Sequence, residues 1–238
     1  MAIIKTPEEI NILKRAAEVA QAVFAHALPL IRAGATERFI AGKMEEYARE
    51  APGFGGLSFP PIIASGQNGA QPHAVPSGRA LASGDFVTID FGVTIEGYAS
   101  DMTRTFLLGK ATEKQALIYD AVLKAQLAGI AAAHAGLRCA ALDRVCRSII
   151  EDAGFGEYFV HTTGHGIGTE VHEDPRIGKE SETMLEAGMA VTIEPGIYIE
   201  SWGGVRIEDT VIITETGCEI ITAKISKGLI ALDQAALP

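Results

Sequence analysis

Leu81-Ala-Ser-Gly-Asp-Phe-Val-Thr-Ile-Asp-Phe-Gly92 aligns without a gap on Leu185-Glu-Ala-Gly-Met-Ala-Val-Thr-Ile-Glu-Pro-Gly196. A leucine, a glycine, Val-Thr-Ile, a carboxylate and a closing glycine fall in register. A β-branched run of this kind marks a strand bound for a core. Yet each run ends on an acid, Asp90 in the first and Glu194 in the second. A carboxylate at a buried strand end is costly unless it is paired or coordinated.

The surroundings repeat as well. Thr6-Pro7-Glu8-Glu9 reads as a capped helix start with proline in the first turn and a capping box closed by Glu9. This helix should run to about Ile31, with Pro29 loosening its last turn and Gly34 ending it. A second helix is expected after Thr36, to about Glu50, and the glycine- and proline-rich residues 52–61 are expected to be loop. Thr112 and Gln115 form another box, opening a helix to about Ala135 that Gly136 ends. A shorter helix over 140–152 stops at Gly154. Helix, helix and strand thus occur twice. This duplication predicts half-repeats of about 6–109 and 112–216, packed as one domain over 1–238 with no linker.

Each strand should return on itself. A turn centred between Ile95 and Glu96 pairs residues whose numbers total 191, which sets Asp90 opposite Asp101. In the second half, a strand from Val191 to Ile199, a loop through Ser201-Trp202-Gly203-Gly204 and a strand from Val205 to Thr214 set Glu194 close to Glu208. Facing carboxylates lie about 5 Å apart at Cβ and repel. With approximate two-fold packing, four would converge, raise one another's pKa and destabilise the fold. Two divalent cations would neutralise them. An oxygen-rich set suits Mn²⁺, with Fe²⁺, Co²⁺ or Zn²⁺ when an imidazole joins. His165, between glycines that leave its ring unobstructed, is the candidate imidazole.

Composition narrows the classes. Hydrophobic residues make up 47% of 238, enough for a substantial core, and the formal net charge of −10, without any basic run, argues against nucleic-acid binding. The start does not read as a signal peptide, and no apolar window approaches the roughly 18 residues of a membrane span, so no membrane partner is expected. Cys139, Cys146 and Cys218 are an odd, unpatterned set and read as reduced thiols of a cytoplasmic protein. The glycine-rich stretch 164–168 lacks the following Lys-Ser/Thr of a phosphate loop. His26 and His134, in alanine-rich helices, read as surface or packing residues.

Asp90, Asp101, His165, Glu194 and Glu208, in this order, resemble the dinuclear metal set of the pita-bread metallopeptidases, among them methionine aminopeptidase, aminopeptidase P and prolidase. The flanks FGVTIEGYASDMTRT, TTGHGIGTEVHEDP, TIEPGIYI and GGVRIEDTVIIT carry the resemblance across nearly the whole chain. It implies an α+β pita-bread (creatinase/aminopeptidase) fold of two pseudo-symmetric halves, each with helices packed on an antiparallel sheet. Residues 72–79, 171–175 and 205–210 are closest to the proline-specific branch. The implied activity is metal-dependent hydrolysis of bonds adjacent to proline in short peptides by a metal-bridged hydroxide. The cofactor would be two divalent ions, Mn²⁺ first, with Co²⁺, Zn²⁺ or Fe²⁺ as alternatives.

By the same resemblance, Glu194 is also the base, His172 stabilises the tetrahedral intermediate, and His73 meets the substrate around the scissile amide. His161 and Arg206 line the pocket, with Arg206 poised for a substrate carboxylate. Against these stand a structural Arg206 paired with Asp101 or Glu208, and a His161 that only caps a strand. Trp202 would line the pocket or staple an interface. The proline enzymes carry a separate N-terminal domain, whereas this chain starts at its first half-repeat, as methionine aminopeptidases do. Methionine aminopeptidase-like action and trimming of C-terminal proline are therefore the enzymatic alternatives; a non-catalytic peptide- or protein-binding role is the alternative of another class, and the chain is expected to be a monomer or homodimer.

Overall fold

The computed structural model describes residues 3–232. Thr6 Oγ1 accepts from Glu9 N and Glu9 Oε2 accepts from Thr6 N, so the box opens helix α1 (Pro7–Ala27), whose end tightens into a 3-10 turn at Pro29. Thr36 caps α2 (Glu37–Ala48). The Thr112–Gln115 box opens α3 (Glu113–Ala132), and α4 (Cys139–Asp152) follows. Gly136 and Gly154 take φ of 87° and 84°, a conformation that ends a helix at little cost only for glycine.

The first half holds strands β1 (Phe54–Leu57), β2 (Ile62–Ser65), β3 (Phe86–Asp90), β4 (Val93–Ile95), β5 (Tyr98–Ala99) and β6 (Thr103–Leu108). The second holds β7 (Gly164–Gly166), β8 (Glu173–Ile177), β9 (Ala190–Ile193), β10 (Gly196–Ile199), β11 (Gly203–Arg206), β12 (Asp209–Ile213) and β13 (Cys218–Ile220). Strand β14 (Ala231–Leu232) returns parallel to β6. The two main sheets run β14-β6-β3-β2 and β13-β12-β9-β7-β8, and every other pairing is antiparallel.

Each sheet buries one face under its own helix pair. Ala16, Ala20, Phe24, Ile40 and Met44 meet Ile63, Val87, Ile89 and Phe106. Val122, Ala125, Leu142 and Cys146 meet Val191, Ile193 and Val211. Small alanines on α1 let its axis approach the sheet. The repeated leucines close equivalent joints: Gly34 N donates to Leu81 O at 2.9 Å, and Gly136 N to Leu185 O at 2.8 Å. The pseudo-symmetric α+β architecture is as expected.

Three local expectations change. Within 52–61, Phe54–Leu57 forms strand β1, because β4 offers it a free edge even though Gly55 and Gly56 lower its strand propensity. The first hairpin pairs residues totalling 193, not 191, so Asp90 faces Thr103 rather than Asp101. The turn centres on Glu96 and Gly97, both at positive φ (49° and 84°), the two-residue geometry that matches strand twist. Asp101 falls two positions from the residue opposite Asp90, so the two acids are diagonal neighbours on one face. The stretch from Val191 to Ile199 is also two strands, interrupted at Glu194-Pro195, where proline lacks an N–H for the ladder. Both flanking ladders there total 402, which leaves Glu194 opposite Glu208 as expected.

At the matching break in the first half, a Cβ on Gly92 would sit 1.9 Å from Ser100 O. Replacing Gly92 by alanine is expected to cost about 1–3 kcal/mol through overpacking. On α2, a methyl group added at Gly42 would meet nothing within 4 Å, so Gly42→Ala should gain about 0.5–1 kcal/mol. Urea denaturation of the two variants checks both signs.

Candidate metal centre

The two strand breaks bring the acids together. Asp101, His165 and Glu208 each offer a ligand atom, and these atoms lie within 4.8 Å of one another. His165 Nε2 stands 3.1 Å from Glu194 Oε1 and 3.7 Å from Asp101 Oδ2. His165 Nδ1 lies 3.1 Å from Gly166 O, which can only accept, so Nδ1 donates there. Against burial, the hydrogen bond and charge of Glu194 raise the pKa of the ring, so Nε2 shares a proton with Glu194, and it is this nitrogen that would turn a lone pair to a cation. Asp90 is tied to the same cluster, since its charge acts on Asp101, His165 and Glu208.

The protein fixes one oxygen of three of these acids. Arg206 Nη2 donates to Asp90 Oδ2 at 2.7 Å, Thr103 Oγ1 to Glu208 Oε2 at 2.6 Å, and Thr192 Oγ1 to Glu194 Oε1 at 3.0 Å. Their counterparts Asp90 Oδ1 and Glu208 Oε1, together with Asp101 Oδ1, are buried with no hydrogen-bond partner among the described residues. Buried carboxylate oxygens are rarely left so.

Burial, then Arg206 in opposition and Glu194 in support, leaves the Asp90 pKa raised. Burial and the charges of Glu208 and Asp90 drive Asp101 well above the ordinary range, and burial with Glu194 and Asp90 does the same to Glu208. Glu194 goes the other way. Burial opposes its charge, but the hydrogen bond and charge of His165 prevail and hold it at about 2. These donors fit a divalent cation: partnerless hard oxygens, an imidazole nitrogen aimed among them, and a surplus of negative charge that such an ion would cancel.

Arg206 is buried and committed. Besides Asp90 it donates from Nε to Thr103 Oγ1 at 3.1 Å, and from Nη1 to Tyr198 OH at 2.8 Å and Pro72 O at 3.2 Å. Its carboxylate partner is therefore Asp90 and not Asp101 or Glu208, because the hairpin register brings Asp90 across from Thr103. The guanidinium is thus placed to orient Asp90.

Two further histidines, His161 and His172, stand near the acids, whereas the side chain of His73 is exposed. His161 Nδ1 donates to Thr162 O at 2.7 Å, and Nε2 accepts from Tyr198 OH at 2.8 Å. Burial pushes the Tyr198 hydroxyl up to about 12, so it keeps the proton it donates. Burial lowers the His161 pKa, and burial and His165 lower that of His172, so both rings are neutral near pH 7. The His172 and His165 rings meet edge-on, 4.4 Å apart. His73 acts electrostatically on both His161 and His172.

Buried charges outside the centre hold these segments. Arg147 of α4 donates to Phe159 O at 2.9 Å and His161 O at 2.8 Å, while Asp143 Oδ1 accepts from Thr163 Oγ1 at 2.8 Å. Beside His172, Glu173 pairs with Lys5 at 2.6 Å and accepts from Thr169 N.

Thr103, Thr192 and Tyr198 were not legible as site residues. The one signal was position: Thr192 precedes Glu194 by two on a strand, hence on the same face. Trp202 lies elsewhere. It stands edge-on to Phe86 and lines a recess of about 440 Å³ with Arg79, Asp85 and Gln115. His26 stacks on Tyr47, and His134 is exposed beside Ala135 O. Among the described residues no helix is long and apolar enough to cross a membrane.

The profile of metallopeptidase family M24 matches residues 11–215. A Xaa-Pro dipeptidase of Pyrococcus furiosus is 47% identical over 220 residues, which cover 92% of this chain and 63% of that protein. The solved Xaa-Pro dipeptidase from Bacillus anthracis superposes with a TM-score of 0.94 at 49% identity, covering 96% of this chain and 64% of the other. Escherichia coli aminopeptidase P in complex with substrate gives 0.85 at 31% identity, covering 94% and 57%. The chain thus spans less than two thirds of the length of each of these relatives. The pita-bread fold implied by the motifs is the fold it shares with them.

Removing one acid should relieve the crowding. With the folded pKa of Asp101 raised above its unfolded value, the stability linked to this group is fully present below the unfolded pKa and lost as pH rises through the folded one. In chelator at pH 7, Asp101→Asn should therefore be more stable than the unsubstituted protein by about 1–3 kcal/mol. The difference should vanish below pH about 3, where the native carboxyl is protonated in both states. With Mn²⁺ the order should reverse, because the variant loses a ligand. Calorimetric melts with and without metal measure all three.

Proposed function

The chain belongs to metallopeptidase family M24, and from that premise we propose that it is a hydrolase of peptide bonds adjacent to proline in short peptides, Xaa-Pro dipeptides first. One observation carries the hydrolytic reading: four acids and His165 share a centre where three buried carboxylate oxygens have no hydrogen-bond partner among the described residues. The preference for proline is supported by the Xaa-Pro dipeptidases that the chain resembles at 47% and 49% identity.

Asp90, Asp101, His165, Glu194 and Glu208 would hold two divalent ions, Mn²⁺ foremost. Such ions, when bound, acidify water and polarise a carbonyl oxygen. The chain's own residues do the rest. Glu194, kept ionised beside His165, accepts the proton that water gives up as its oxygen bonds to the carbonyl carbon. It then returns that proton to the proline nitrogen as the carbon–nitrogen bond breaks. His172, neutral and next to His165, donates a hydrogen bond to the oxygen that gains charge. His73 contacts the substrate around the scissile amide, and His161, fixed by Tyr198, lines the pocket. Arg206 acts through Asp90, which it orients.

A net charge of −10 supports peptides over nucleic acid as partners, and three free cysteines support work in the cytoplasm.

Chelator should abolish release of proline from Xaa-Pro dipeptides, and Mn²⁺ should restore it. Metal-loaded protein that cleaves neither a panel of these dipeptides nor longer proline peptides would sink the reading. His172→Ala should keep its metal, measured by elemental analysis, while kcat falls about 10²–10³-fold with KM little changed.

A further inference from the structure

We propose that Glu37, at the start of α2 and outside the metal centre, is the positioning residue for His73. Its side chain is fully buried, at 0% exposure. Oε1 accepts from Ser65 N at 2.7 Å, Ser65 Oγ at 2.6 Å and Asn68 Nδ2 at 3.0 Å. Oε2 accepts from Asn68 Nδ2 at 3.0 Å, Ser77 N at 3.0 Å and Ser77 Oγ at 2.6 Å. Both ends of the segment 65–77, and one residue within it, converge on a single carboxylate.

This segment leaves the sheet at the end of β2 and carries Pro72 and His73 on its far side. Its first part, a 3-10 turn over Gly66–Ala70, packs against β11, with Gly69 close to Gly204, but the part that carries His73 has little packing of its own. Ala74 is buried against Ile62 and Ala64, whereas Val75, two residues past His73, is 81% exposed. A loop with so few apolar contacts opens at little cost unless something else ties it down. Glu37 holds its base, and near its tip Pro72 O accepts from Arg206, the residue that orients Asp90. His73 is therefore referenced to the metal centre through two fixed points.

The chemistry requires a carboxylate. Every partner of Glu37 presents a donor, and an ionised carboxylate is acceptor-only, with room for several donors. Burial disfavours its charge, but the hydroxyl and amide donors of Ser65 and Ser77 outweigh burial and keep its pKa below the ordinary value. Glutamine would turn an NH₂ towards these donors, break part of the hub and leave the volume unchanged. Arg79, bonded to Ser65 Oγ at 2.7 Å and paired with Asp85, adds nearby positive charge without touching Glu37.

The catalytic part of the proposal rests on the reading that His73 meets the substrate; the anchoring part does not. In the metal-loaded full chain, Glu37→Gln should speed backbone hydrogen exchange over 66–78 and leave 86–90 and 190–193 unchanged. Bound metal should stay at the unsubstituted level. With an Xaa-Pro dipeptide, kcat/KM should fall on the order of 10- to 100-fold, the scale of a misplaced contact. Glu37→Asp should recover part of the loss.

The double variant Glu37→Gln/His73→Ala should be no worse than His73→Ala alone, because both changes remove one function. Losses that multiply would overturn the positioning role, and unchanged exchange over 66–78 would overturn the anchor itself. Should Glu37→Gln fail to fold, Ser77→Ala, which removes one donor, is expected to show the same pattern in weaker form and is judged by the same two outcomes. A protein with no peptidase activity at all would refute the proposed function, while the exchange data would still decide the anchor.

Discussion

Four carboxylates, three of them buried and Glu194 partly so, repel through a medium that screens poorly, and the rest of this structure is arranged around that repulsion. The positive groups in contact with them are Arg206 on Asp90 and the imidazole of His165 beside Glu194 and Asp101. These hold Glu194 ionised, but Asp101 and Glu208 are driven strongly towards protonation. A divalent cation held among them would cancel the surplus charge, and the same charge would acidify a water beside it. Stability and chemistry would then depend on one electrostatic balance.

The fold concentrates these charges by interrupting strands. In each half a ladder stops for two residues, at Phe91-Gly92 and at Glu194-Pro195, with the acids at or beside the stop. At these breaks the backbone leaves its regular ladder for single bonds to other segments, Phe91 N to Met102 O, Ser58 N to Gly92 O and Glu194 N to Thr163 O. Elsewhere a buried ion pair stiffens the arrangement. Arg104, 1% exposed, pairs with Asp209 at 2.8 Å and donates to the carbonyls of Thr103, Glu208, Thr222 and Ile225. One guanidinium therefore ties the backbone at Glu208 to the strand of Thr103 and to the C-terminal segment. Removing either partner of such a pair leaves an uncompensated charge in the core.

Around the centre, the histidines that do not face the acids directly ride on segments held from outside: His73 by Glu37, His161 by Asp143 and Arg147, and His172 by Lys5 and Glu173. A catalytic geometry needs side chains placed to a fraction of an ångström, and loops alone do not provide this. Buried ionic anchors do, because each fixes several backbone groups at once.

Local rules acting along the chain made much of this legible. Capping boxes at Thr6 and Thr112 set the helix starts, and glycines at 34, 136 and 154 set the stops. The repeated Leu and Val-Thr-Ile-acid stretches disclosed the duplication, and with it the convergence of Asp90, Asp101, Glu194 and Glu208 about His165. What tertiary structure alone decided is anything that depends on a partner distant in sequence. The first hairpin register moved by two because turn geometry at Glu96-Gly97 outweighed the pairing that put the acids face to face. Strand β1 exists because β4 offers it an edge, Arg206 chose Asp90, and Glu37 gathered donors from Ser65 to Ser77. Periodicity and caps are encoded within a few residues, whereas hydrogen-bond partners across the sheet are selected only once the chain has closed on itself.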